Sequence, residues 1–388
     1  MTVTTQRQEC TATIGGRLLM AMDLGRRQWK LGFTTGVGQR PRRRTLATDA
    51  WDRLSEEIAA AKKRFGLPVD APVISCYEAG RDGFWIHRYL TSLGIENLVV
   101  DSSSIEVNRR ARRAKTDRLD VEKLLAMLLR YTGGEKTVWR IVRVPTEADE
   151  QRRQRHRELF TLKQDRTRVT NRIAGLLATV GVLLKVDARF GVRLDRLQQW
   201  NGQPVPEALR VRLAREWEKV ELLTTQINDL DRARRAMVRE SRDEAVALVR
   251  RLLELRGIGD NAAWVFVTEF FAWRGFRNRR QVGGSTGLVG TPFTSGAVKH
   301  EQGISKAGNR RVRAIAVQIA WGWLRHQQQS ALTHWYNRRF ADGGPVARKI
   351  GIVAVARRLV IDLWRYLDAG VMPDGALLKE RATVASGG

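Results

Sequence analysis

Residues 16–36, GRLLMAMDLGRRQWKLGFTTG, place two strand-length apolar runs on either side of a turn at Gly25, with Asp23 closing the first run. A chain that begins this way has a sheet to bury. The polar stretch RPRRRTLATD has room for a third strand, and AWDRLSEEIAAAKKRF (residues 50–65) has helical periodicity and good helix formers. APVISCYEAG then reads as a short, fully apolar strand that stops at Glu78 and Gly80. GFWIHRYLTSLG reads as a helix, ENLVVD as a buried strand ending at Asp101, and a further helix starts near Thr116 or Asp117. A meander followed by alternating strand and helix predicts a mixed sheet flanked by helices, an α/β domain over residues 16–145.

From about Thr146 the pattern changes to long polar helices. Leu159, Leu162, Val169, Ile173, Leu176 and Val180 fall mostly at three- and four-residue steps, as do Leu213, Trp217, Val220, Leu223, Ile227 and Leu230. FGVRLDRLQQWNGQPVP marks the reversal between them. A helical hairpin or coiled coil over 146–245 follows, and both an intermolecular coiled coil and a hairpin within one subunit fit the spacing. Residues 246–372 read as a mainly helical third region. Its turn GIGDN resembles a helix-hairpin-helix, where Gly257 and Gly259 let backbone N–H groups approach a phosphate. Residues 373–388 read as a flexible tail.

Charge narrows the partners. Against 69 Lys plus Arg stand 41 Asp plus Glu, a formal net charge of +28, and the pI near 11.2 is the footprint of a nucleic-acid partner. No apolar run approaches the roughly 18 residues of a membrane span. The opening MTVTTQRQECTATIGG lacks the basic head and apolar centre of a signal peptide, so a cytoplasmic protein is expected. Cys10 and Cys76 form no CxxC pair, and the five histidines are scattered. Any metal is therefore expected to be held by oxygen, which suits Mg²⁺ or Mn²⁺.

The segment RRARRAKTDRLDVEKLL (109–125) sets two carboxylates among Arg109, Arg110, Arg112, Arg113 and Lys115. A purely electrostatic grip on phosphates gains nothing from Asp117 and Asp120, because they repel what the arginines attract. Three residues apart, the two project from the same face of a helix, and they complement the positive end of its dipole. Asp23 and Glu78 each close an apolar strand, where α/β sheets commonly build sites. The four make a candidate cage for two hard cations about 3.5–4 Å apart, as used in phosphoryl transfer. The plainer reading has strand-end turn residues and a solvated first turn paired with Arg113 and Arg118. Spacing alone leaves both open, and Asp101 and Glu106 compete as ligands.

MDLGRRQW, CYEAGRDGFW, AKTDRLDVEKLL, LRGIGDNAA and SGAVKHEQGISKAGNRRVR occur in that order. In this the chain resembles the bacterial insertion-sequence transposases that join a RuvC-like DEDD domain to a C-terminal serine-bearing domain, over roughly residues 17–370. The resemblance implies a ribonuclease-H-like first domain with Asp23, Glu78, Asp117 and Asp120 as metal-binding acids. It also implies a nucleophilic serine, which falls on Ser295. Members of that family move their own element, typically through a circular DNA intermediate, guided by a structured RNA from the element, and work as dimers and tetramers.

A serine hydroxyl is a poor nucleophile at its ordinary pKa and needs a base or a metal. Ser285 and Ser305 compete with Ser295, whose TSG context also suits a turn. Lys306, Arg310, Arg311 and Arg313 read as a phosphate clamp opening a helix, or as a solvated basic face. Trp321, Trp323, Trp335 and Trp364 have the spacing of core residues more than of a base-stacking platform. Two rival functions stay open: a structure-selective nuclease with water as nucleophile, and a nucleic-acid-binding protein without catalysis.

Overall fold

The computed structural model describes residues 16–80, 83–105, 117–295 and 298–380, with backbone only at 103, 117–119, 292–295 and 298–302. Two compact units meet in sequence at Pro145 and Thr146.

The first unit is built on a five-stranded sheet in the order β3-β2-β1-β4-β5. Its strands are β1 (Leu18–Leu24), β2 (Gln28–Thr34), β3 (Arg42–Ala47), β4 (Val73–Glu78) and β5 (Glu96–Val100). β1, β2 and β3 form the antiparallel meander, and β4 and β5 run parallel to β1. The central strand, LLMAMDL, is apolar on both faces because both are covered. Leu18, Met20 and Met22 point to the side of α1 (Leu54–Arg64) and α2 (Trp85–Ser92), where Leu54, Ile58, Ile86 and Leu90 complete one core layer. Leu19 and Ala21 point the other way, onto Val121, Leu124, Leu125 and Leu128 of α3 (Asp117–Thr132). Gly32 of β2 permits this contact, since a Cβ there would stand 2.6 Å from Val121 Cγ1. After α3 the chain returns to the β5 edge, where Val142 N–H donates to the Val99 carbonyl.

In the second unit a capping box closes the start of α4 (Glu147–Ala178): the Thr146 hydroxyl accepts from Asp149 N–H while the Asp149 carboxylate accepts from Thr146 N–H. After α5 (Phe190–Arg193), α6 (Glu207–Glu240) returns antiparallel to α4, tied by Lys163–Asp231 at 2.9 Å and Arg172–Glu216 at 2.6 Å. The helical pair is thus formed within one chain. Leu177, one place past the expected Leu176, takes the buried position beside Val169 and Ile173.

The remaining helices surround one large core. They are α7 (Glu244–Glu254), α8 (Asp260–Phe266), α9 (Ala272–Arg274), α10 (Arg279–Thr286), α11 (Arg310–His326), α12 (Ala331–Tyr336) and α13 (Pro345–Ala369). A π-turn, Val267–Phe271, carries α8 into α9, and a two-stranded hairpin, β6 (Gly290–Ser295) and β7 (Val298–Ile304), precedes α11. Trp323 is buried and donates to Ser330 Oγ, Trp335 and Trp364 pack on the core, and Trp321 stands half exposed.

The chain beyond Pro373 departs from the expected tail. Leu377 N–H donates to Gln327 Oε1, Leu378 bridges to Leu255, and Lys379 N–H donates to the Glu254 carbonyl, which fixes these residues through Lys379. Apolar Leu377 and Leu378 gave no periodic signal, yet these backbone bonds use groups left free at the end of α7. Residues 381–388 lie outside the described residues. Among the described residues no helix is long and apolar enough to cross a membrane.

Candidate active site

Asp23 and Glu78 lie at the same edge of the sheet. β1 and β4 are parallel neighbours with Met22 opposite Tyr77, so the next step along each strand is Asp23 on one and Glu78 on the other. Alternation puts Asp23 on the face of Leu19 and Ala21, and Glu78 on that of Ile74 and Cys76. Both faces are the one that α3 covers. Val121 packs against Gly32, which pairs with Ala21 two residues before Asp23, and Cys76 Sγ lies 3.9 Å from the Leu124 carbonyl oxygen. Asp120, half-buried, immediately precedes Val121, and Asp117 is the first residue of α3. The side chain of Asp117 lies outside the described residues, as do Glu106 and the basic run Arg109, Arg110, Arg112, Arg113 and Lys115. Asp101 directly follows β5, whose Val100 pairs with Glu78. Among the described residues, no three His, Cys, Asp or Glu side chains converge as ligands of one metal ion. The donor type at this edge, carboxylate oxygen alone, is nevertheless the one that Mg²⁺ prefers.

Ser295 belongs to the second unit, at the last position of β6 and paired with Val298 of β7. Residues 296–297, between Ser295 and Val298, lie outside the described residues. Ser285 and Ser305 serve the neighbouring backbone: the Ser285 carbonyl accepts from Asn309 N–H, and Ser305 N–H donates to the Val289 carbonyl.

The four cations of SKAGNRRVR divide into two pairs. Arg313 Nη1 donates to the carbonyls of Thr286 and Lys306, and Arg311 lies over the Phe160 ring at 5.1 Å. Both are held by the fold. Lys306 and Arg310 are exposed. The loop between them is tight: Gly308 has φ +107°, and a Cβ there would meet the Ser285 carbonyl oxygen at 2.2 Å. Gly308→Ala is expected to cost about 2 kcal/mol or more, read as a lowered thermal midpoint, because it combines strain with a backbone clash.

The expected helix-hairpin-helix turn places Gly257, at φ +86°, against the Gly322 carbonyl, with Gly259 as the N-cap residue of α8. Gly257, Gly259, Asn261, Gln318, His326 and Lys379 line an open groove of about 450 Å³. Lys379 Nζ donates to the Ile258 carbonyl inside the turn.

One constellation escaped the sequence reading. Glu269, 1% exposed, accepts from Arg157 Nε at 2.7 Å and Nη2 at 2.8 Å, and from Asn309 Nδ2 at 3.1 Å. Asn309 is also the N-cap of α11, accepting from Arg311 and Val312 N–H. Glu269 thus ties α4 to the opening of α11. Burial alone raises its pKa, but Arg157, Asn309 and Arg153 outweigh that and hold the carboxyl below its ordinary range. Beside it His156 is buried, and desolvation chiefly, with Arg234 adding, lowers its pKa to about 4. A lone carboxylate in WVFVTEFFAW was the available signal.

Residues 249–335, which run from α7 into α12 and include Ser295 and the start of α11, match the transposase IS116/IS110/IS902 family. Over 382 residues the chain is 40% identical to the transposase-named protein y4rJ of Sinorhizobium fredii, covering 94% of this chain and 95% of that one. The chain belongs to the IS116/IS110/IS902 transposase family. A second Sinorhizobium fredii protein with a transposase name, y4qE, is 31% identical over 261 residues, covering 64% of this chain and 58% of its own. The transposase for insertion sequence element IS1328 of Yersinia enterocolitica is 24% identical over 268 residues, 69% of this chain and 76% of that one. Family membership makes the DNA of an insertion sequence the partner of this transposase and recombination its activity.

Proposed function

We propose that this transposase cuts and rejoins element DNA by phosphoryl transfer, with Asp23, Glu78, Asp117 and Asp120 as the Mg²⁺-binding acids and Ser295 as nucleophile. The observation that carries the reading is the sheet edge: strand order 3-2-1-4-5, with Asp23 and Glu78 ending adjacent parallel strands on the face under α3, whose first turn holds Asp117 and Asp120. That order supports a ribonuclease-H-like, RuvC-like assignment. The α7–α8 turn is read as helix-hairpin-helix-like, with Gly257 and Gly259 approaching a backbone phosphate.

Mg²⁺ bound at the acids would supply Lewis-acid stabilisation of the attacking and departing oxygens. The protein's part is to hold the DNA, exclude water and present the serine. Ser295 Oγ bonds to phosphorus and loses its proton to solvent, while the bond from phosphorus to the 3′ oxygen breaks and that oxygen takes up a proton from solvent and leaves as a 3′ hydroxyl. A covalent phosphoserine results. The linkage keeps the phosphodiester energy, so an attacking 3′ hydroxyl from another strand reverses the step without a high-energy cofactor. The serine belongs to the second unit and the acids to the first, and the protein works as a dimer or tetramer. Lys306 and Arg310 steady the DNA, and an RNA encoded by the element selects the strands.

The test is covalent capture. The protein is incubated with Mg²⁺, labelled element-junction DNA and RNA transcribed from the element's flank, and a denaturation-resistant adduct is sought. The expected result is an adduct that Ser295→Ala and Asp117→Ala each abolish and that a chelator prevents. Cleavage without an adduct, untouched by Ser295→Ala, would replace this reading with the water-dependent nuclease. Binding without any cleavage would replace it with the non-catalytic one.

A further inference from the structure

Away from the acids, the second unit holds a cleft of about 440 Å³ between the C-terminal half of α6 and the start of α8. Lys163, Arg234, Arg235 and Arg239 line it against two acids, Asp231 and Asp260. Their pairing is incomplete. Lys163 Nζ takes Asp231 at 2.9 Å, leaving Arg234 a long 3.7 Å approach to the other oxygen of the same carboxylate. Arg234 Nη2 donates to the Asp260 carbonyl at 3.2 Å, and its guanidinium lies 5.1 Å from the Trp264 ring.

The Arg234 side chain is only 11% exposed, and its buried Nε finds no acceptor among the described residues. Burial is the main cause of its lowered pKa, with Asp231 and Asp260 restoring part of the shift. A guanidinium this far from water carries a desolvation penalty that its neighbours do not fully offset. At the mouth, Arg239 has only a 3.9 Å approach to an exposed Glu240, and Arg235 has no acidic partner among the described residues. One helical turn separates them on α6, so both face the cleft.

We propose that this cleft is a phosphodiester-binding site in which Arg235 and Arg239 grip backbone phosphates, with Arg234 and Lys163 behind them. The inference rests on the nucleic-acid partnership under Proposed function. It adds a contact surface remote in sequence from the acids and the serine, formed by α4, α6 and the residues that open α8. Trp264 is 3% exposed and braces Arg234, so the site reads backbone charge and stacks no base. The polymer is element DNA or the element's RNA, and the test separates them.

Arg235→Glu/Arg239→Glu would be compared with the parent in salt titrations of binding to a labelled duplex carrying the element end and to labelled RNA from the element's flank. Both positions are exposed, so the thermal midpoint should stay where it is. An Arg235→Gln/Arg239→Gln pair provides the milder case if charge reversal disturbs folding. For the polymer that occupies the cleft, affinity near physiological salt is expected to fall roughly tenfold or more, and the slope of log K against log salt to shrink by about two. Loss confined to one probe names the polymer. Unchanged affinity and slope on both, for both variants, overturns the site. A parent protein that binds neither probe overturns the nucleic-acid reading itself, and the cleft's role with it.

Discussion

Replacing Asp23 by Asn should leave the protein folded and lower strand cleavage by about three orders of magnitude or more, the effect of removing several kcal/mol of metal-centred stabilisation. Folding should survive because β1 is held by its backbone pairing, with Met22 opposite Leu31 and Asp23 opposite Lys30, and by the apolar residues before Asp23. Asn keeps the shape and removes the charge. What changes is the affinity of an all-carboxylate edge for a hard cation, so the cleavage rate against Mg²⁺ concentration should move to higher metal as well as lower maximum. Glu78→Gln should behave alike, since it ends the neighbouring strand on the same face. Ser295→Ala should differ: it loses the adduct while Mg²⁺ binding at the acids is retained. An Asp23→Asn enzyme that cleaves at the parental rate would remove Asp23 from the site.

The first unit was legible because its residues obey one rule at a time. LLMAMDL, VISCYE and ENLVV are too short for helices and too apolar for loops, and each meets its neighbours in the expected sheet. Asp23 and Glu78 stood out as the charges that end such runs, and the alternation that buries Ala21 and Cys76 on one face puts the two acids together. Residues 373–379 were read as tail because their anchoring comes from Gln327, Glu254 and Leu255, which are distant in sequence. For Arg311 and Arg313 the sequence left a phosphate clamp and a solvated basic face both open, and the contacts they make, with the Phe160 ring and the Thr286 carbonyl, are not visible in SKAGNRRVR. Charge is a property of the sequence, whereas its neutralisation depends on contacts made at long range.

The Glu269 constellation turns that point into a stability prediction. Glu269→Ala removes three hydrogen bonds and strands Asn309 and Arg157; it should cost about 2–3 kcal/mol, discounted because the Arg157 side chain is 39% exposed. In a unit of this size that lowers the thermal midpoint by about 5–10 °C, and Glu269→Gln, which keeps an acceptor for one partner, should cost less. Acid should weaken the same place. His156 is held neutral by burial, with its pKa lowered from 6.5 to about 4. As pH falls through that window the unfolded chain gains a proton that the folded one does not, so stability present above pH 6.5 is lost progressively down to about 4. The amount is about 3 kcal/mol. Glu269, depressed below its ordinary 4.5, adds a further loss once pH drops below that value, because its ion pair must then be protonated. Denaturant midpoints between pH 7 and 4 for the parent and His156→Leu decide the matter. The variant should flatten the decline above pH 4.5 and leave the steeper fall below it. A decline of equal size in both proteins would mean that His156 is not the group that titrates.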